Sequence, residues 1–109
     1  MTTLGQSMDT LLGTIAARAS ADPKHSYTAF LLTSGPQKCA KKLGEEAVEA
    51  ALACVGGDKA AFAEEAADVL FHLFVALQVA GVPAAQVAAV LEKRQAMSGH
   101  EEKAARSGQ

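Results

Sequence analysis

Two long runs without an internal proline meet at Gly56-Gly57-Asp58, and this junction constrains the fold more than any other feature of the chain. In the first run Leu43, Ala47, Ala50, Ala51 and Cys54 recur at three- and four-residue spacing. In the second, Phe62, Ala66, Val69, Leu70, Leu73 and Leu77 do the same. That period marks one face of a helix. Glycine supplies the left-handed stop that ends a helix, and aspartate caps the next one through its side-chain oxygen. The chain is therefore expected to fold back on itself as an antiparallel helical hairpin, from about Pro36 to Val55 and from Asp58 to Gly81.

Shorter helices flank the hairpin. Ser7 is the expected cap of a first helix that carries Met8, Leu11, Leu12, Ile15 and Ala16 and runs to about Ser20, where Asp22-Pro23 breaks it. Ser26 caps a short helix reaching Leu32, Gly35 is its expected left-handed stop, and Pro36 suits the first turn of the next helix. Beyond Pro83 a last helix, Ala84 to Met97, should turn Val87, Val90 and Leu91 inward and end at Gly99. The tail from His100 to Gln109 is polar. No strand-like alternation occurs, so the expected class is all-α: four to five helices in an antiparallel bundle, one domain over residues 1–109 with a core at about 8–98.

Half of the residues are apolar but only 5% are aromatic, and Trp is absent. A core of Ala, Leu and Val suits closely spaced helices. So small a domain often covers its remaining apolar surface with a second copy, and Phe71, Phe74 and Val75 are the residues expected to need one. Ten basic against twelve acidic residues leave a net charge of −2, with no positive field for a polynucleotide. Cys39 and Cys54 lack zinc or disulfide spacing and are expected to be reduced thiols in packed positions. The start, Met1 to Ser7, has no basic, apolar leader, and the longest apolar stretch, Val69 to Val82, is interrupted by His72, Gln78 and Gly81. The expectation is a cytoplasmic chain that neither spans nor anchors to a membrane.

Glu46 and Glu49 lie three apart on the first hairpin helix, on one face and about 4.5 Å apart along the axis. Glu65 and Asp68 repeat the spacing on the second. In an antiparallel hairpin, residues whose numbers add to a constant lie level, so Glu49 is expected opposite Glu65 and Glu46 opposite Asp68. Glu45 borders the patch and His72 extends its line. Four converging carboxylates repel one another unless their protons are retained or a cation compensates them. An all-oxygen set that leaves coordination positions open selects Mg²⁺, with Mn²⁺ a substitute. Lys38, Lys41 and Lys42, upstream on the same helix, add charge for phosphate oxygens. A lone E-E-x-x-E is ordinarily solvated surface, and the second pair in register is what turns the reading toward phosphate chemistry.

The segments Lys41-Lys42-Leu43-Gly44-Glu45-Glu46-Ala47-Val48-Glu49 and Glu65-Ala66-Ala67-Asp68 resemble the E-E-x-x-E … E-x-x-D signature of the all-α nucleoside triphosphate pyrophosphatases, the MazG-like superfamily. Together with Ser26-Tyr27-Thr28, Gly35-Pro36-Gln37-Lys38, Ala66 to Leu73 and Ser98-Gly99-His100-Glu101-Glu102-Lys103, the resemblance narrows to the phosphoribosyl-ATP pyrophosphohydrolases of histidine biosynthesis. It covers about Met8 to Arg106, with Gln37 where the family pattern has Asn. It implies a Mg²⁺-dependent homodimer that cleaves 1-(5-phosphoribosyl)-ATP to 1-(5-phosphoribosyl)-AMP and pyrophosphate, without the cyclohydrolase to which this activity is often fused. On that reading Glu46, Glu49, Glu65 and Asp68 hold the metal and Glu45 orients or deprotonates water. Lys38, Lys42 and Arg94 bind phosphate or the phosphoribosyl group, and His72 supports the ligands from behind. The alternatives are a house-cleaning nucleoside triphosphate pyrophosphohydrolase and a non-catalytic helical interaction module. A di-iron bundle would require Glu-x-x-His pairs, which the sequence lacks.

Overall fold

A computed structural model describes residues 1–97 together with Gly99, Lys103 and Arg106. Five helices follow in order: α1 (Leu4–Arg18), α2 (Tyr27–Ser34), α3 (Pro36–Gly56), α4 (Lys59–Ala80) and α5 (Ala84–Gln95). No strand occurs among the described residues, and the class is all-α. The expected polar tail at 100–109 lies outside the described residues except for Lys103 and Arg106.

The helix ends are set by local chemistry. Ser26 accepts a hydrogen bond from the Ala29 amide and Asp58 from the Ala61 amide. Gly57 and Gly81 close α3 and α4 in the left-handed conformation. Three boundaries depart from expectation. α1 begins at Leu4 because Thr3 and Gln6 form a reciprocal capping box, which satisfies two amide donors where Ser7 would satisfy one. Gly35 adopts φ 93°, ψ 168°, outside the left-handed helical well and in a region essentially restricted to glycine. Finally, α5 stops at Gln95, and Gly99, expected to be a stop, is itself helical.

α3 and α4 make the dominant contact, α2 packs across both, and α1 lies on α4. One residue from each of these four helices forms the core: Ile15, Leu31, Cys39 and Val75, each at most 1% exposed. Leu11, Leu32, Phe71, Phe74 and Val79 pack around them. The Cys39 thiol donates to the Leu31 carbonyl at 3.1 Å, tying α3 to α2, and burial raises its pKa. The core therefore sits at the start of α3 and the end of α4. The other half of the hairpin, nearer its turn, stands clear: Val48 is 61% exposed, Leu52 68% and Val55 85%.

Several burial expectations change accordingly. Val75 is covered within the chain, and Phe71 and Phe74 are partly buried against the core, so these three do not supply the bare surface expected of them. Cys54 lies on the projecting half of α3 and is exposed. Val87, Val90 and Leu91 are exposed as well. α4 and α5 bend 115° apart at the Gly81–Pro83 break. The α5 residues Val87 and Leu91 line, with Leu12, Leu73 and Leu77, an apolar groove of about 470 Å³. No single helix among the described residues is long and apolar enough to cross a membrane.

Candidate active site

The carboxylates gather where the packed half of the hairpin gives way to the projecting half. Glu46 and Glu49 face α4 from successive turns of α3, and Glu65 faces back. One oxygen from each of the three lies within 4.8 Å of the others. The level pairing of Glu49 with Glu65 is thus realised. Asp68 is exposed and falls outside this triplet, and its charge still acts on Glu46 and Glu65.

The cluster is electrostatically loaded. Burial raises the pKa of Glu46, and so, in decreasing order, do the charge of Glu49, a hydrogen bond with the Glu49 side chain and the charges of Asp68 and Glu65. Glu65 is raised first by burial, then by the charges of Glu49 and Asp68, a hydrogen bond with Glu49 and the charge of Glu64. Glu65 Oε2 is buried and without a hydrogen-bond partner. A buried acceptor left unpaired costs about 1–3 kcal/mol and calls for a specific explanation. The oxygen belongs to the same triplet, whose three carboxylates could together hold a metal ion.

His72, one of the two buried polar residues among those described, brings Nε2 to 3.9 Å from Glu46 Oε1. Burial lowers its pKa, Lys42 lowers it further and Asp68 opposes both. His72 therefore stands behind Glu46 with its ring biased toward the neutral form.

On the other side of Glu45 lies a second feature, a pocket of about 570 Å³ between α2 and α3. Its lining includes Tyr27, Phe30, Lys38, Lys41, Lys42 and Glu45. Lys42 Nζ is 3.7 Å from Glu45 Oε1, so Glu45 faces this pocket rather than the triplet. Lys38 Nζ stands 4.7 Å above the Phe30 ring. Of the expected phosphate ligands, Lys38 and Lys42 meet here, whereas Arg94, in the last turn of α5, belongs to neither the pocket lining nor the triplet. Residue patterns missed Tyr27 and Phe30, since nothing in their spacing shows that both remain about half exposed beside lysines.

Comparison with known proteins agrees with this geometry. The family model for phosphoribosyl-ATP pyrophosphohydrolase matches residues 8–95, which include the triplet and the pocket. A phosphoribosyl-ATP pyrophosphatase of Methylobacterium radiotolerans is 59% identical over 96 residues, covering 88% of this chain and 90% of that one. Proteins of the same name from Cereibacter sphaeroides and Azorhizobium caulinodans are 54% identical over 99 residues and 59% identical over 92. The first alignment covers 91% of this chain and 96% of that one, and the second covers 84% of each. The carboxylate motif, the helical hairpin that aligns it and these matches lead to one conclusion: the chain belongs to the phosphoribosyl-ATP pyrophosphohydrolase family.

Proposed function

We propose that this protein hydrolyses 1-(5-phosphoribosyl)-ATP to 1-(5-phosphoribosyl)-AMP and pyrophosphate, the second step of histidine biosynthesis, in the cytoplasm and as a homodimer. The observation that carries the reading is the unpaired, buried Glu65 oxygen within a triplet of convergent carboxylates. The donor set fits a hard divalent cation, because every ligand atom is a carboxylate oxygen and the site lies close to the surface, with Glu49 exposed. Glu46, Glu49 and Glu65 would hold Mg²⁺, with Asp68 adding charge beside them. Mg²⁺ bound there supplies charge neutralisation and polarises the triphosphate oxygens.

The remaining work falls to the chain's own groups. Lys38 and Lys42 hold phosphate oxygens as point charges. Glu45, next in sequence to the triplet, accepts a proton from the attacking water as its oxygen bonds to phosphorus and the bond to the departing pyrophosphate breaks. Lys42 Nζ, 3.7 Å from Glu45 Oε1, holds that carboxylate in place. His72, biased toward its neutral form mainly by burial, backs Glu46 at 3.9 Å. A second copy would cover Val48, Leu52 and Val55 on the projecting hairpin half, adding two helices to this pair.

The test is product analysis with phosphoribosyl-ATP, with Mg²⁺ and with excess chelator. Pyrophosphate is the expected product, released only with metal. Orthophosphate as the primary product, or full activity in chelator, would overturn the assignment.

A further inference from the structure

The pocket between α2 and α3 has two properties that carboxylate–metal chemistry does not require. Its wall is aromatic: Tyr27 is 53% exposed and Phe30 40%, in a chain with one Tyr, four Phe and no Trp. So small an aromatic supply is ordinarily spent on the core. Its rim is cationic: Lys38 and Lys41 have no carboxylate partner among the described residues, and Lys42 is already paired with Glu45. A flat ring beside unpaired ammonium groups fits a ligand with a π face and an anionic substituent. Those charges disfavour burial under a second copy, for which the bare apolar half of the hairpin is better suited.

The pocket also communicates with the carboxylates. Tyr27 stacks on Phe71 at 6.3 Å and meets His72 edge-on at 6.3 Å, and His72 reaches Glu46. Tyr27 is therefore two side-chain contacts from Glu46, and a ligand in the pocket would lie beside the carboxylates. The volume, about 570 Å³, exceeds what a flat base alone fills and falls within the ~300–1,000 Å³ of ordinary ligand clefts.

We infer that this pocket is the specificity subsite for the phosphoribosyl-bearing base, with Tyr27 stacking on the adenine and Lys38 and Lys41 holding the 5′-phosphate of the second ribose. The inference rests on the proposed activity and adds what that activity leaves open: how the site separates its substrate from ATP, which has the same triphosphate and no second ribose phosphate. Phe30 acts as a positioning residue, holding Lys38 over the pocket through its ring.

The single tyrosine provides the test, since without tryptophan Tyr27 is the only residue emitting tyrosine fluorescence. Titration of the full chain with phosphoribosyl-AMP should quench that emission after correction for ligand absorbance, and ribose 5-phosphate should not. Tyr27→Leu should raise KM for phosphoribosyl-ATP by about tenfold or more, as loss of a base-stacking ring does, with kcat within about twofold. Tyr27→Phe, which keeps the ring, should restore KM. Lys41→Gln should raise KM for phosphoribosyl-ATP while leaving competition by ATP unchanged. Circular dichroism checks that each variant is folded, and the titration needs no variant. No turnover of phosphoribosyl-ATP by the parent protein overturns the functional reading and the subsite with it. Normal turnover without a quench, or a Tyr27→Leu variant with unchanged KM, overturns the subsite alone.

Discussion

The two halves of the α3–α4 hairpin share a backbone geometry and differ in what covers them. Near Cys39 and Val75 the helices are wrapped by α1 and α2, and the side chains are almost fully buried. Toward Gly57, α3 carries Val48, Leu52 and Val55 into the open. One half is a finished core and the other is left uncovered. The carboxylates occupy the seam, where a rigid base fixes their spacing while the absence of covering helices leaves them reachable. Placement at this seam gives the carboxylate cluster both a constrained spacing and access from solvent.

The sharpest way to break this comparison is at the seam. Glu49→Gln should lower turnover by about a thousandfold or more, because an amide cannot replace the charge the site uses. In chelator the same variant should melt no lower than the parent, since it loses a member of a self-repelling cluster. Pyrophosphate release and thermal melting measure the two effects. A variant that turns over normally would make the seam ordinary surface.

Next comes the projecting half. Leu52→Lys should convert a particle of twice the 11.2 kDa chain mass into one of single mass, read by light scattering. The packed half supplies the contrast: Leu31→Ala should cost about 2–5 kcal/mol by denaturant unfolding, the usual range for emptying a closed core site. If the two substitutions exchanged effects, the division into finished and unfinished halves would be wrong.

A smaller effect is expected from pH. Glu46 and Glu65 titrate higher in the folded chain than when unfolded, so they bind more protons in the native state. Their contribution to stability is fully present below the ordinary carboxylate pKa and is lost as pH rises through the raised folded values. Without metal, melting temperature should fall as pH climbs through that window, and Glu49→Gln should flatten the slope. Smallest of all, Glu92→Gln on exposed α5 should change stability by no more than about 0.5 kcal/mol and leave turnover alone.

How much of this was readable beforehand depends on the range of the interactions. The ends of α2, α3 and α4 follow from Ser26, Gly57, Asp58 and Gly81, whose effects act within a few residues. The facing of Glu49 and Glu65 follows from one hairpin turn and the helical repeat. Thr3 was also legible, as a Thr-x-x-Gln capping box overshadowed by Ser7. Burial was not. An apolar stripe shows which side of a helix avoids water and says nothing about which neighbour covers it. For that reason Val75, off the stripe read along α4, closes the core of its own chain, while Cys54, Val87 and Leu91, on regular stripes, stay open. The exposure of Tyr27 likewise depends on how α2 crosses α3 and α4.

α2 ends at Ser34 and α3 begins at Pro36, with Gly35 alone between them. Each helical residue advances about 100°, so one residue inserted there would swing the whole of α3 by more than a quarter turn relative to α2. The lysines would leave the aromatic wall and Cys39 would leave the Leu31 carbonyl. The loop from Ala19 to Ser26 and the break at Gly81 to Pro83 hold no site residue that must stay in phase across them. Natural length variation among relatives should therefore collect at those two connections and spare both position 35 and the turn at Gly57, which sets Glu49 level with Glu65.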